Sequence, residues 1–162
     1  MVIAYHSDDS LLHCVDMTDF LELGYVALFL SAFLAATLLP LSSEAVLSAL
    51  LLSDYQASAL LLVATLGNVL GACVNYYLGY KVSHISSYED WREQNIQKGR
   101  ALRLVENYGA VSLLLSWVPI IGDPITFING VIRTRLWVFL ALVTLSKCLR
   151  YVVIIFITHA VT

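Results

Sequence analysis

The chain has 162 residues, 59% of them hydrophobic and only 13% charged, with a mean hydropathy of +0.80 and a net charge of −3. Soluble domains carry about 45–50% apolar and about 25% charged residues, so the composition excludes an ordinary soluble domain and points to a membrane protein. No basic stripe suggests a nucleic-acid partner, and the scattered Cys14, Cys73, Cys148, His6, His13, His84 and His159 fit no metal spacing.

Residues 1–22 are acidic (Asp8, Asp9, Asp16, Asp19, Glu22), lack lysine and arginine, and read as a disordered tail. A secretory signal needs a basic region before its apolar core, so the run 25–39 is not one. Met17 is the expected natural start, with residues 1–16 outside the natural product. A native N-terminal peptide containing His6 in a mass spectrum would refute this.

Gly24 to Leu52 is apolar but interrupted at Pro40, Ser42, Ser43 and Glu44. A straight span needs about 20 residues and two need about 40, so a stretch broken at its centre fits two half-helices that enter and leave on one side. Proline removes a backbone donor and clashes with the preceding turn. Irregular backbone at membrane depth must be buried in protein or line a wet cavity. The alternative is one long kinked helix. Ser53-Asp54-Tyr55-Gln56 is a turn, and 59–80 is an uncharged crossing helix. Its Gly67 and Gly71, with Asn68, Ala64 and Asn75 nearby, form a small-residue packing face.

Residues 81–108 are the sustained polar stretch, with Leu102, Val105 and Tyr108 at helical spacing, and read as an amphipathic surface helix. Ala110 to Ile132 repeats the broken hairpin around Pro119, Gly122, Asp123 and Pro124. Leu136 to Ala160 is the second crossing helix, carrying Lys147 and Arg150 three residues apart on one face.

The two halves are copies at a constant offset of 79 residues: Pro40 falls on Pro119, Glu44 on Asp123, and Ala64-Thr65-Leu66 on Val143-Thr144-Leu145. The fold class is therefore an all-α polytopic membrane protein, an inverted repeat of re-entrant hairpin plus transmembrane helix with an amphipathic linker helix. After the tail 1–22, residues 23–162 form one membrane domain (repeat 1 about 24–80, linker 81–108, repeat 2 about 109–160).

With re-entrant hairpins, the side holding both termini carries Asp8, Asp9, Asp16, Asp19, Glu22 and Asp54 and no lysine or arginine. The linker side carries Lys81, Arg92, Lys98, Arg100, Arg103, Arg133 and Arg135. By the positive-inside rule the linker is cytoplasmic and the termini are outside. Four straight spans would instead put the termini inside with the linker.

Glu44, Asp123, Lys147 and Arg150 remain within the membrane, where each charge costs roughly 2.5–3.5 kcal/mol unless paired or hydrated. One reading is two ion pairs that only lock the helices. The functional reading is a polar pocket: Lys147 and Arg150 hold an anionic headgroup, arginine by a bidentate fork. Half-helix N-termini add partial positive charge, and Glu44 and Asp123 exchange protons.

The segments ATLLPLSSEAVLSALLL, ATLGNVLGACVNYYLGY, YGAVSLLLSWVPIIGDP and SKCLRYV resemble the short YqaA-type bacterial members of the DedA superfamily, which carries the VTT (SNARE-associated Golgi protein) domain. The similarity spans about residues 18–158. It implies an inner-membrane protein with two inverted re-entrant hairpins, whose relatives translocate phospholipids or recycle polyprenyl-phosphate carriers, some using the proton gradient. The family's embedded acid falls on Glu44, and its Gly-x-x-Arg on Gly130 and Arg133. Main-branch relatives place an arginine soon after the second proline, where this chain has Gly122 and Asp123, and Arg150 is the candidate substitute.

The resulting expectation is a transporter or scramblase for an anionic lipid, with membrane lipids and protons as partners, no cofactor and no metal. The alternative is a structural or assembly factor braced by its charges. An intramembrane enzyme ranks third, since no HExxH, GxSxG or phosphatase-like constellation is present.

Overall fold

The computed structural model describes residues 9–37, 43–85, 100–118 and 121–161, with side chains in the first helix from Glu22 to Ala36. The expected breaks at Pro40, Ser42 and Pro119, and linker residues 86–99, lie outside the described residues. The elements are α1 (Asp9–Thr37), α2 (Ser43–Leu52), α3 (Ala57–Ile85), α4 (Arg100–Tyr108), a 3-10 segment η1 (Gly109–Trp117), α5 (Gly122–Val131) and α6 (Leu136–Val161). No strand occurs among the described residues.

The stretch expected as a disordered tail is helical from Asp9 onward. No proline or glycine lies between Asp9 and Leu23. Once the apolar half of α1 has nucleated, each further residue adds one hydrogen bond at little cost, so the helix extends through the acidic residues.

Helix α1 is described to Thr37 and α2 from Ser43, with Glu44 in the first turn of α2. At the far end of α2, Asp54 takes a left-handed φ of 61° and turns the chain. Tyr55 then folds against Gly24 and meets the Tyr25 ring edge-on at 5.3 Å. The end of α2 thus returns beside the start of the apolar half of α1, and one kinked helix over Gly24–Leu52 is excluded. Between Trp117 and Gly122 the chain reverses again. Gly122 packs on the Ser116 carbonyl, and six residues after Asp123 the Asn129 Nδ2 donates to Ser112 Oγ (3.4 Å).

The arm before this second reversal is a 3-10 helix. Gly109 starts it from a left-handed φ of 55°, and Ser112 Oγ donates back to the Gly109 carbonyl (2.6 Å). At about 2.0 Å of rise per residue, the nine residues of η1 reach about 18 Å, further than the same number in an α-helix. A short arm therefore reaches deep into the fold.

Helix α3 is the axis. It runs parallel to α1, with Gly67 under the Phe29 carbonyl, Gly71 under the Phe33 carbonyl, and Asn75 Nδ2 donating to the Ala36 carbonyl (2.6 Å). Its other face meets α5 through a reciprocal glycine contact: Gly79 lies against the Phe127 carbonyl, and Gly130 against the Tyr76 carbonyl. Helix α6 packs on η1, α3 and α2, while α4 turns Ala101, Leu102 and Val105 inward against η1 and α5.

Two apolar clusters fill the ends. One joins Leu28, Ala32, Leu47, Tyr55, Leu60 and Ala64, and the other joins Val69, Ala72, Leu113, Ile125, Phe139 and Val143. On α3 the clusters part at Thr65 and Asn68, and on α6 at Ser146 and Lys147. The polar groups therefore form a layer between two dry halves.

Candidate functional site

The layer is built by three elements. The N-termini of α2 and α5 both point at the middle of α6, where Ser146, Lys147, Arg150 and Tyr151 share one face. A helix N-terminus carries about half a positive charge, so an acid in the first turn is stabilised by about 0.3–1 kcal/mol. Glu44 and Asp123 occupy those turns.

Arg150 Nε donates to Glu44 Oε1 (2.8 Å), and its Nη2 donates to the same oxygen. Lys147 Nζ lies 3.5 Å from Asp123 Oδ1, a looser ion pair. The exposures differ: Lys147 is 2% exposed and Arg150 16%, against 30% for Asp123 and 45% for Glu44. The cations are thus set in the protein and the acids cover them. Two cations and two carboxylates leave the layer neutral.

A neutral network flanks the pairs. Asn68 Nδ2 donates to Tyr151 Oη (2.8 Å), which lies 3.2 Å from Ser43 Oγ. Ser116 Oγ donates to Ser146 Oγ (3.1 Å), which donates to the Leu114 carbonyl (3.0 Å). Consecutive residues of α2, Ser43 and Glu44, thus clasp consecutive residues of α6, Tyr151 and Arg150. Three buried oxygens, Asn68 Oδ1, Thr65 Oγ1 and Asp123 Oδ1, have no hydrogen-bond partner among the described residues. Tyr151→Phe leaves the Asn68 amide and the Ser43 hydroxyl unpaired. It should cost about 1–3 kcal/mol, read as a lowered thermal midpoint in detergent.

Glu44, Asp123, Lys147 and Arg150 therefore come together, joined by Ser43 and Asn68. Gly122 packs beside them, and Pro124 lies exposed in the first turn of α5. Gly67 and Gly71 serve the α1 contact. Arg133 stands apart, beyond the far end of α5. There it adopts a left-handed φ of 56°, donates to Ser83 Oγ and the Ser83 carbonyl (both 3.0 Å), and lies over the Tyr80 ring. It ties the α5–α6 turn to the end of α3 rather than joining the layer. Tyr151, Ser146 and Ser116 were not singled out from the sequence. The signal for two of them was present, since Ser146, Lys147, Arg150 and Tyr151 make a polar stripe at helical spacing in an aliphatic run. Among the described residues, no three His, Cys, Asp or Glu side chains gather as metal ligands.

Helices α3 and α6 are long and apolar enough to cross a bilayer. Their outward faces carry Leu62, Leu66 and Leu70, and Leu145, Leu149 and Phe156, all exposed. With a neutralised charged layer at its centre, this defines an all-helical membrane protein. The chain belongs to the VTT-domain family, that of the DedA proteins, whose family pattern matches residues 20–160. It is 40% identical over 133 residues to the inner membrane protein YqaA of Escherichia coli K12, covering 82% of this chain and 89% of that relative. The Shigella flexneri protein of the same name matches equally. A protein of Haemophilus influenzae, described as uncharacterized, is 34% identical over 139 residues, covering 81% of this chain and 85% of its own. No solved structure matches the chain.

Proposed function

We propose that the protein is an integral transporter or scramblase of a bacterial inner membrane that moves an anionic lipid, a phospholipid or polyprenyl phosphate, with proton coupling and no catalytic chemistry. The observation that carries this reading is the convergence of two half-helix N-termini on Lys147 and Arg150, because helix ends and cations together favour an anion. The inner-membrane placement draws on the name of the Escherichia coli relative.

The packing supports an inverted repeat of re-entrant hairpins. Helix α3 packs on α1 from its own copy and on α5 from the other, while α6 packs on η1 from its own and on α2 from the other. A pseudo-two-fold axis in the membrane plane would produce this exchange, as in many transporters, where interrupted segments meet at the substrate site. Helices α2 and α5, ten residues each, reach only about 15 Å and are too short to span.

In this reading the linker is cytoplasmic and the termini periplasmic. In spheroplasts expressing the full 162-residue chain, Cys14 should react with an impermeant thiol reagent added outside. Labelling only after lysis would reject the re-entrant topology. Function is tested by dithionite quenching of fluorescent anionic lipid in proteoliposomes, with and without a pH gradient. Wild type should translocate, Arg150→Ala should lose translocation while staying folded, and Glu44→Gln should lose the response to the gradient. Undiminished, gradient-responsive transport by Glu44→Gln would discard proton coupling. A bracing role without transport is favoured by one observation, that each cation already faces a carboxylate. Proteoliposomes no faster than empty vesicles would select it.

A further inference from the structure

We infer that the Glu44 carboxylate is a resident stand-in for the lipid phosphate on Arg150, so that anion binding and proton uptake by Glu44 are one linked event. This rests on the anionic-lipid reading above and specifies how that site is gated. A phosphate would be held by the arginine through two adjacent N–H groups. On Arg150 one such edge, Nε and Nη2, is already filled, both groups converging on Glu44 Oε1. Glu44 is also the more exposed partner, at 45% against 16% for Arg150, so it lies over the cation on the open side. An anion engaging that edge must move the carboxylate aside. Lys147 offers no alternative, being 2% exposed behind Asp123.

Electroneutrality then brings in the proton. At rest Glu44 and Asp123 balance Lys147 and Arg150, and an added phosphate would leave one negative charge in excess between two apolar clusters. A displaced, ionised Glu44 would be an unpaired charge at membrane depth, which is costly. A proton taken from the aqueous phase onto the Glu44 carboxylate restores the balance. Few other groups can play this part. Asp123 on α5 faces Lys147, and the charged group of α6 paired with Glu44 is Arg150. The ionisable side chains described on α1, Glu22 and Tyr25, lie by the opposite end of α2. Between Ala57 and Asn75, α3 carries only Cys73.

The test is calorimetric titration of the detergent-solubilised full chain with dihexanoyl phosphatidylglycerol, whose phosphodiester keeps one charge across the working pH range. Repeating it in buffers of different ionisation enthalpy counts the protons bound. Wild type should take up about one proton per lipid, its affinity rising roughly tenfold per unit fall in pH where Glu44 is ionised, as reciprocal linkage requires. Glu44→Gln should bind at high pH as tightly as wild type does at low pH, with no proton uptake. No proton uptake by wild type overturns the proposal without any variant. An unchanged pH slope in Glu44→Gln also overturns it, assigning the proton elsewhere. Arg150→Gln separates the two levels. If it binds as well as wild type, or if wild type itself binds no lipid, the anionic-lipid reading fails; if binding needs Arg150 yet ignores Glu44, only the stand-in fails.

Discussion

Lys147→Met should destabilise the protein by about 3–5 kcal/mol, because it leaves Asp123 as an unpaired charge inside the fold. Lys147 is 2% exposed and its ammonium lies 3.5 Å from Asp123 Oδ1, an oxygen with no hydrogen-bond partner among the described residues. Methionine nearly matches the lysine stem in volume, so the loss measures charge rather than packing. Adding Asp123→Asn should return most of the stability, since removing both partners of a buried pair is often close to neutral. Equilibrium unfolding of both variants checks this. A single variant as stable as wild type would mean that the layer is well hydrated.

Gly130→Ala should be the most damaging small substitution outside the charged layer. A Cβ there would overlap the Tyr76 carbonyl, and α3 cannot retreat because Gly79 is held against the Phe127 carbonyl in turn. Backbone pinned on both sides cannot yield as a flexible side chain does, so the cost should reach about 3 kcal/mol. The control is Gly109→Ala. No atom lies within 4 Å of a Cβ there, but the φ of 55° is left-handed, so only about 1–2 kcal/mol of backbone strain should appear. Thermal midpoints of the two variants in one detergent give the order, and equal loss at both sites would refute the close-approach argument.

Much of the candidate site was legible before any coordinates. Interrupted apolar runs mark where helices must stop, and around the second break η1 ends at Trp117, Val118 is extended and α5 begins at Gly122. Acids four residues after each proline land in first turns for the same reason. Lys147 and Arg150 stood out because charges in an aliphatic helix are costly enough to need a partner. Other features were hidden. The acidic residues of α1 look disordered by composition, and their helix is extended from an apolar nucleus further along. The 3-10 form of η1 depends on how far the arm must reach, which local propensity does not encode. Arg133 was expected at the site but lies beyond the far end of α5, tied to Ser83, a position set by the course of α5.

The amino-acid sequence alone determined that the chain is a helical membrane protein with two interrupted apolar segments, because hydropathy, proline and charge act on local backbone. Only the tertiary structure decided the pairing, Glu44 with Arg150 and Asp123 with Lys147, and the recruitment of Tyr151, Ser43 and Asn68 beside them. Lys147 and Arg150 are three residues apart on one face, so by sequence either acid could meet either cation. The choice follows from where α2 and α5 arrive: α5 is seated on α3 by Gly79 and Gly130 against backbone carbonyls, and the end of α2 is set by Tyr55 folded against Gly24.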